Sequence, residues 1–199
     1  MKVRFFEHTY FTDYLSAKPI LVDLGACTGE FTHHFASLFP KAQAIMIEPL
    51  PRNFDVIQET ANLKKIHGAI VGTPQETITF FEDVSSTQGG SATVNYFKGI
   101  EHTVPAFTLK EIFSQYDKID LCKIDIEGGE WDVILNADDE TLQKVVQYTI
   151  EFHDFLDPTY IDKTEYCIDR LTSLGFKHES IGTDWMNGSP YYDMIFYKD

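Results

Sequence analysis

The sequence predicts an α/β domain built on a mostly parallel sheet, with antiparallel pairing at its C-terminal end and a small β insertion in the middle. Three observations predict it. Short apolar runs at residues 19–24, 42–48 and 65–71 alternate with stretches of helical spacing, and strand–helix–strand units with short links fold into a parallel sheet covered on both faces. The last two strand-like runs, 176–181 and 191–197, have no helix between them, so they pair antiparallel. Residues 77–81 and 93–107 look like strands separated by the polar stretch 85–90, with no helix between them, which reads as an inserted hairpin.

Each element follows in chain order. The run Pro19-Ile20-Leu21-Val22-Asp23-Leu24 ends at a glycine, and residues 29–39 place Phe31, Phe35, Leu38 and Phe39 at helical spacing. After the second strand, 42–48, Pro51 suits a first helical position, and Phe54, Ile57 and Ala61 give an apolar face over two turns. Residues 65–71 form the third strand. Thr108-Leu109-Lys110-Glu111 has the spacing of a capping box and opens a helix before the strand 119–125. A helix from about Glu130, a strand at 145–151 and a helix at 159–174 ended by Gly175 complete the pattern. Seven principal strands result, in one domain spanning 1–199.

A chain of this length buries roughly 70% of its unfolded surface, so a core is available. The net charge of −15 argues against nucleic acid, whose capture depends on Lys and Arg, and against an anionic membrane surface. Cys27, Cys122 and Cys167 form no CxxC pair, so neither a disulfide framework nor a zinc ribbon is expected and a reducing cytoplasm is the natural setting. The N-terminus is broken by Glu7-His8, and no apolar run approaches the roughly 20 residues of a membrane span. A soluble protein acting on a small or neutral molecule is expected, with oligomeric state left open.

Two constellations carry chemistry. Gly25 and Gly29 lie between a strand and a helix, where missing side chains let a ligand approach the backbone. Alone they also fit a tight turn with no ligand. Glu48 stands at the end of the second strand, about 20 residues on, where a carboxylate accepts from a ribose diol. Asp23 suits the cationic ends of S-adenosylmethionine and would repel a pyrophosphate, and Cys27 replaces the second glycine of a dinucleotide fingerprint. Both favour S-adenosylmethionine over NAD. The second constellation is Lys123-Ile124-Asp125-Ile126-Glu127-Gly128-Gly129-Glu130 with Glu151-Phe152-His153. Strand alternation sets Asp125 with Glu127 and Glu151 with His153, which brings carboxylates and an imidazole together. Such a group can supply a general base or hold Mg²⁺. The plainer reading makes Glu127 and Glu130 helix N-terminal charges and His153 a hydrogen-bonded loop residue. Gly89-Gly90-Ser91-Ala92-Thr93 reads equally as a lid or a hairpin end. Trp131, Trp185 and Tyr191-Tyr192 read as core or rim aromatics, and His33 and His34 need no special role.

These motifs together resemble the FkbM family of S-adenosylmethionine-dependent methyltransferases. The match rests on Val22-Asp23-Leu24-Gly25-Ala26, Ile47-Glu48-Pro49, Gly90-Ser91-Ala92, Val104-Pro105 with Thr108-Leu109, Lys123-Ile124-Asp125-Ile126-Glu127-Gly128 with Glu130, and Glu151-Phe152-His153, in family order. Cys27 departs from the polar residue expected at its position. The resemblance implies a Rossmann-like class I methyltransferase fold and O-methylation of a small molecule, sugar or natural-product intermediate. It implies a cofactor site of Asp23, Gly25, Ala26, Gly29, Glu48, Ala69 and Asp125. Asp125, Glu151 and His153 are the catalytic candidates, with His153 or Asp125 as base, and the same three are the metal candidates. A hydroxyl attacking in line gains most from alignment with the methyl donor. The rivals are an NAD-dependent oxidoreductase and a non-catalytic S-adenosylmethionine-binding module. A nucleic-acid methyltransferase is disfavoured by charge and by the lack of an Asn/Asp-Pro-Pro-aromatic segment.

Overall fold

A computed structural model describes residues 1–83, 90–91, 99–182 and 189–198. In chain order the elements are β1 (Lys2–Phe5), β2 (His8–Phe11), β3 (Ile20–Leu24), α1 (Glu30–Leu38), β4 (Gln43–Glu48), α2 (Pro51–Val56), β5 (Leu63–His67), β6 (Ala69–Ile70), β7 (Thr77–Glu82) and β8 (Gly90–Ser91). There follow β9 (Ile100–Phe107), α3 (Leu109–Phe113), β10 (Ile119–Ile124), α4 (Glu130–Asn136), α5 (Asp139–Gln143), β11 (Val145–Glu151), α6 (Ile161–Ser173), β12 (Lys177–Gly182) and β13 (Asp193–Tyr197). Gly89, Ala92 and Thr93 of the glycine loop, the expected strand residues 93–98, most of the polar stretch 85–90 and Trp185 lie outside the described residues.

The main sheet has seven strands in the order β12-β13-β11-β10-β3-β4-β5. β5, β4, β3, β10 and β11 are parallel, and β13 runs antiparallel to both of its neighbours. This is the α/β, Rossmann-like sheet expected, including its reversed C-terminal strand. The chain builds outward from β3 through β4 to β5, then returns to add β10 and β11 on the other side. The strand order therefore switches between β3 and β10, and the crevice outside their carboxyl ends is where such sheets bind ligands.

Alternation along the strands splits the core between two faces. Val22, Leu24, Ile45 and Ile47 join the cluster covered by α3, α4 and α6, which contains Phe113, Trp131 and Leu171. Leu21, Ala44 and Met46 join Phe31 and Phe35 of α1 and Tyr10 of β2. The expected helix start at Thr108 forms a complete capping box: its hydroxyl accepts from the Glu111 amide, and the Glu111 carboxylate accepts from the Thr108 amide.

Several boundaries differ from the sequence pattern. The expected strand at 65–71 is two strands, because Gly68 turns the chain into a second sheet of order β6-β9-β7-β8. A Cβ at Gly68 would lie 2.6 Å from the Phe107 ring and 2.7 Å from the Pro105 carbonyl oxygen, so only glycine permits that crossing. α2 ends at Val56 and leaves Ala61 exposed beyond it. The spacing of Phe54 and Ile57 holds only as far as Ile57, whose φ/ψ has already left the helix.

One helix and one hairpin have no counterpart in the sequence pattern. α5 is capped by Asp138, whose side chain accepts from the Thr141 amide. The hairpin β1–β2 packs across β11, where the Thr9 amide donates to Thr149 Oγ1 at 3.1 Å and the Phe11 amide to Gln147 Oε1 at 2.8 Å. Gln147 and Thr149 are fully buried, so the hairpin backbone satisfies polar groups that would otherwise be stranded. Among the described residues no helix is long and apolar enough to cross a membrane.

Candidate active site

A cavity of about 380 Å³ opens at the switch point, within the range of small-molecule sites. The loops after β3, β4 and β10 form its floor, Gly68–Ile70 and Phe80 one side, and Phe6–His8 with Tyr192 the other. Gly25, Ala26, Glu48, Ala69, Asp125 and Glu151 line it, as do Lys123 and Glu127. Asp23, Gly29 and His153 are not part of its lining.

The loop after β3 works differently from the sequence argument. Its amides are already used: Gly25 and Ala26 both donate to the Ile47 carbonyl at 3.0 Å, and Gly29 donates to Ala26 at 2.7 Å. The Cys27 amide donates to Glu48 Oε2 at 2.8 Å. Gly25 is required by contact within the protein, since it has φ +77° and an added Cβ would stand 1.7 Å from the Asp125 carbonyl oxygen. This absent side chain lets the loops after β3 and β10 close on each other. Gly29, at φ +83°, starts α1.

Glu48 is 4% exposed, and its second oxygen accepts from the Leu50 amide at 2.9 Å. Burial pushes its pKa up to about 7 against the pull of those two amides. The Asn53 side chain also donates to this carboxylate, which leaves one of its roughly four acceptor positions for a further donor.

Asp23 is fully buried and faces its neighbours in the sheet. The parallel register pairs Asp23 with Lys123, Thr32 Oγ1 donates to Asp23 Oδ2 at 2.7 Å, and Lys123 Nζ stands 3.3 Å from Oδ1. Direct contact with a ligand's ammonium is thus not its position here. Lys123 also donates to the Gly25 carbonyl at 2.8 Å and lies 3.3 Å from Asp125 Oδ2. Burial would lower the Lys123 pKa, but Asp125 and Asp23 outweigh it and raise it. Burial likewise would raise Asp125, yet Lys123, His8 and His153 hold it ionised and well below the usual carboxylate range.

His153 sits behind this wall. Its Nδ1 lies 3.1 Å from Glu130 Oε1 and its Nε2 3.3 Å from Glu127 Oε2. Asp125 and Glu151 are at 3.9 and 3.8 Å from Nε2. Burial opposes the imidazolium, but Glu130 and Glu127 outweigh it and raise the pKa well above the ordinary value. A ring protonated on both nitrogens accepts no proton and offers no lone pair, so His153 fits a charge-holding role rather than that of base. Glu130 is fully buried and also accepts from the Ile126 and Gly128 amides.

The trio Asp125, Glu151 and His153 does not fit Mg²⁺: His153 is cationic, and Lys123 already supplies positive charge to Asp125. Among the described residues, the ligand atoms that converge belong to His8, Asp125 and Glu151, and to Asp125, Glu127 and His153. Glu151 is 8% exposed. Burial first, and the Asp125 charge second, push its pKa up to about 8, while a hydrogen bond from Tyr192 pulls the other way.

Convergence at this site does not come from strand alternation, since β10 stops at Ile124 and Glu127 has φ 56° in the following loop. His8 was missed because no motif surrounds it, and Tyr192, read as a core or rim aromatic, lines the cavity. The available signal was indirect: buried polar Gln147 and Thr149 on β11 require a covering element.

A model of the methyltransferase FkbM domain matches residues 23–177. Methyltransferase sdnD of Sordaria araneosa is 23% identical, with 74% of this chain and 71% of that protein covered. An FkbM methyltransferase from Methylobacillus flagellatus KT superposes with a TM-score of 0.56 at 16% identity, covering 92% of this chain and 44% of that one. This chain thus spans less than half of that relative's length. Fibrillarin of Aeropyrum pernix, solved with natively bound S-adenosyl-L-methionine, has a TM-score of 0.50 at 12% identity and covers 92% and 67%. Since the matched segment runs from the strand that opens the cleft to the start of β12, the chain belongs to the FkbM methyltransferase domain family and has the class I S-adenosylmethionine-dependent methyltransferase fold.

Proposed function

We propose that this chain transfers a methyl group from S-adenosylmethionine to a hydroxyl of a small molecule, with Glu151 as general base. The observation that carries this reading is the place of Glu151, a carboxylate in the cavity wall beside His8 and Asp125, where burial and the Asp125 charge push its pKa up to about 8. A hydroxyl becomes nucleophilic as it loses its proton, and a base with a pKa near the working pH is the most effective acceptor of it. Bound S-adenosylmethionine supplies an electrophilic methyl, so the acceptor O–C bond forms as the C–S bond breaks and its electron pair stays on sulfur.

The residues fit that cofactor. Ile47, Ala69, Ile70 and Phe80 give the cavity an apolar side suited to a purine, and Glu48 offers a lone pair to a ribose diol. The lining sets Glu7, Glu30, Asp125 and Glu127 against Lys123, an acidic balance that favours a cationic donor. As Glu151 takes the hydroxyl proton, its own charge beside Asp125 is removed. His153 stays protonated and compensates Glu127 and Glu130. The acidic balance and the cavity volume favour a sugar or natural-product intermediate over a polymeric acceptor, and the three free cysteines fit a reducing cytoplasm.

The test pairs calorimetry with S-adenosylhomocysteine and transfer from tritiated S-adenosylmethionine to a hydroxyl panel: methyl glucoside, N-acetylserine and a β-hydroxyacyl thioester. Binding of the homocysteine and an O-methyl product are expected. Failure to bind it, or methyl transfer only to nitrogen or carbon acceptors, overturns the reading.

A further inference from the structure

We propose that His8 is a catalytic residue, whose Nε2–H holds the acceptor's hydroxyl oxygen while Glu151 removes its proton. The inference rests on the O-methyl transfer reading above. His8 lies outside the matched segment 23–177 and reaches the cavity only because β1–β2 is docked on β11. Its ring is 4% exposed and stands edge-on to Phe31, with centroids 5.4 Å apart. Nε2 lies 3.3 Å from Asp125 Oδ2, whereas Nδ1 is buried without a hydrogen-bond partner. A neutral imidazole beside a carboxylate carries its proton on the nitrogen facing that carboxylate, so Nε2 is the donor. Burial, and then the Lys123 ammonium, lower the His8 pKa and keep the ring neutral although Asp125 favours its charge.

The bond to Asp125 is long and can be given up. Lys123 Nζ, also 3.3 Å from that oxygen, compensates the carboxylate without His8. The ligand atoms of His8, Asp125 and Glu151 all lie within 4.8 Å of one another, and all three residues line the cavity. Two groups hydrogen-bonded to one tetrahedral oxygen at about 2.8 Å stand about 4.6 Å apart. A single hydroxyl can therefore accept from His8 and donate to Glu151. Its proton passes to the Glu151 carboxylate and its oxygen pair forms the bond to the methyl carbon. The C–S pair leaves with sulfur, and His8 keeps its proton throughout.

The test uses the full chain and the panel acceptor turned over best. His8→Ala is expected to lower kcat/KM for that acceptor by about 10–100-fold, with S-adenosylhomocysteine affinity within about two-fold of wild type. His8→Gln, which retains an N–H donor, recovers part of the loss and keeps the rise of rate with pH. Unchanged kcat/KM in His8→Ala overturns the inference. So does parallel loss of turnover, cofactor affinity and thermal midpoint in both variants, which marks a structural role. Loss of the pH-dependent rise in His8→Gln overturns it too, by making His8 the base. If wild type methylates no hydroxyl, the underlying reading fails as well, a result distinct from active wild type with unaffected variants.

Discussion

Two carboxylates share one wall of the cavity, and their neighbours drive them apart: Lys123 keeps Asp125 ionised, whereas burial and Asp125 itself resist ionisation of Glu151. Such a split assigns roles. Glu151→Gln is expected to reduce kcat by about 10²–10⁴-fold, with little change in S-adenosylhomocysteine affinity. The groups facing Glu151 are Asp125, His153, Lys123 and Tyr192, and together they set where its proton is held. In the role proposed for it Glu151 works as the carboxylate, so the wild-type rate should climb as pH rises through about 8, and the residual rate of Glu151→Gln should be flat there. A wild-type profile level from neutral pH upward would remove Glu151 from that role. Glu48→Ala should weaken S-adenosylhomocysteine by about tenfold, of the order of one charge-assisted hydrogen bond, as read by calorimetry. At this scale the sequence was legible for placement, since strand-end position put Glu48, Asp125 and Glu151 at the cavity, whose lining they form. It was not for Asp23, whose direction depends on the Asp23–Lys123 register, or for His153, whose protonation depends on Glu130 from α4.

The turn after β3 and the hairpin β1–β2 are the elements on which the cavity depends. Gly25→Ala puts a methyl into the Asp125 carbonyl and an L residue at positive φ, the latter alone costing ~1–2 kcal/mol. At about 2–4 °C per kcal/mol for a domain of this size, its thermal midpoint should drop by about 2–8 °C or more, and an unchanged scan would contradict the contact. Gln147→Ala removes the side chain that both accepts from the Phe11 amide and donates to the Phe11 carbonyl. Faster hydrogen exchange confined to residues 2–11 is expected, with acceptor turnover lowered and cofactor affinity kept. Long strands flanked by glycine or capping residues were readable from sequence, among them β3, β10, β11 and α3. The four-residue strands β1 and β2 were not, because their stability comes from buried Gln147 and Thr149 and not from their own pattern. Gly68 was hidden for a similar reason, as its need for glycine arises from Phe107 and Pro105, far along the chain.

For the molecule as a whole, the switch between β3 and β10 places the lining candidates Gly25, Ala26, Glu48 and Asp125 on one edge of the main sheet, with Ala69 facing them from β6 of the second, so a ligand held there is energetically linked to the fold. S-adenosylhomocysteine at about 100 times its Kd should add about 2.7 kcal/mol, raising the midpoint by roughly 5–10 °C. Proton linkage acts in the opposite direction as the solution turns alkaline. Glu48 and Asp193, each near 7, and Glu151, near 8, bind protons more tightly folded than unfolded, burial being the first cause in each. Their contribution is complete below the ordinary carboxylate range and is lost as pH passes those folded values. Raised His153 has the same sign. The midpoint at about pH 6.5 should exceed that at about pH 8.5, and a flat or rising trend would contradict these protonation states. The overall sheet was predictable because parallel strands announce themselves by apolar runs, whereas the site's depth depends on loops meeting across it.

The hairpin β1–β2 pairs with itself and meets β11 through two side chains, Gln147 and Thr149, yet it carries Phe6, Glu7 and His8 into the cavity. On the proposed reading, the donor floor and the acceptor rim thus come from different stretches of polypeptide. Such a rim behaves as an exchangeable cartridge: another sequence with the same backbone register on Gln147 and Thr149 could retune which alcohol is admitted while the methyl-donor half stays intact.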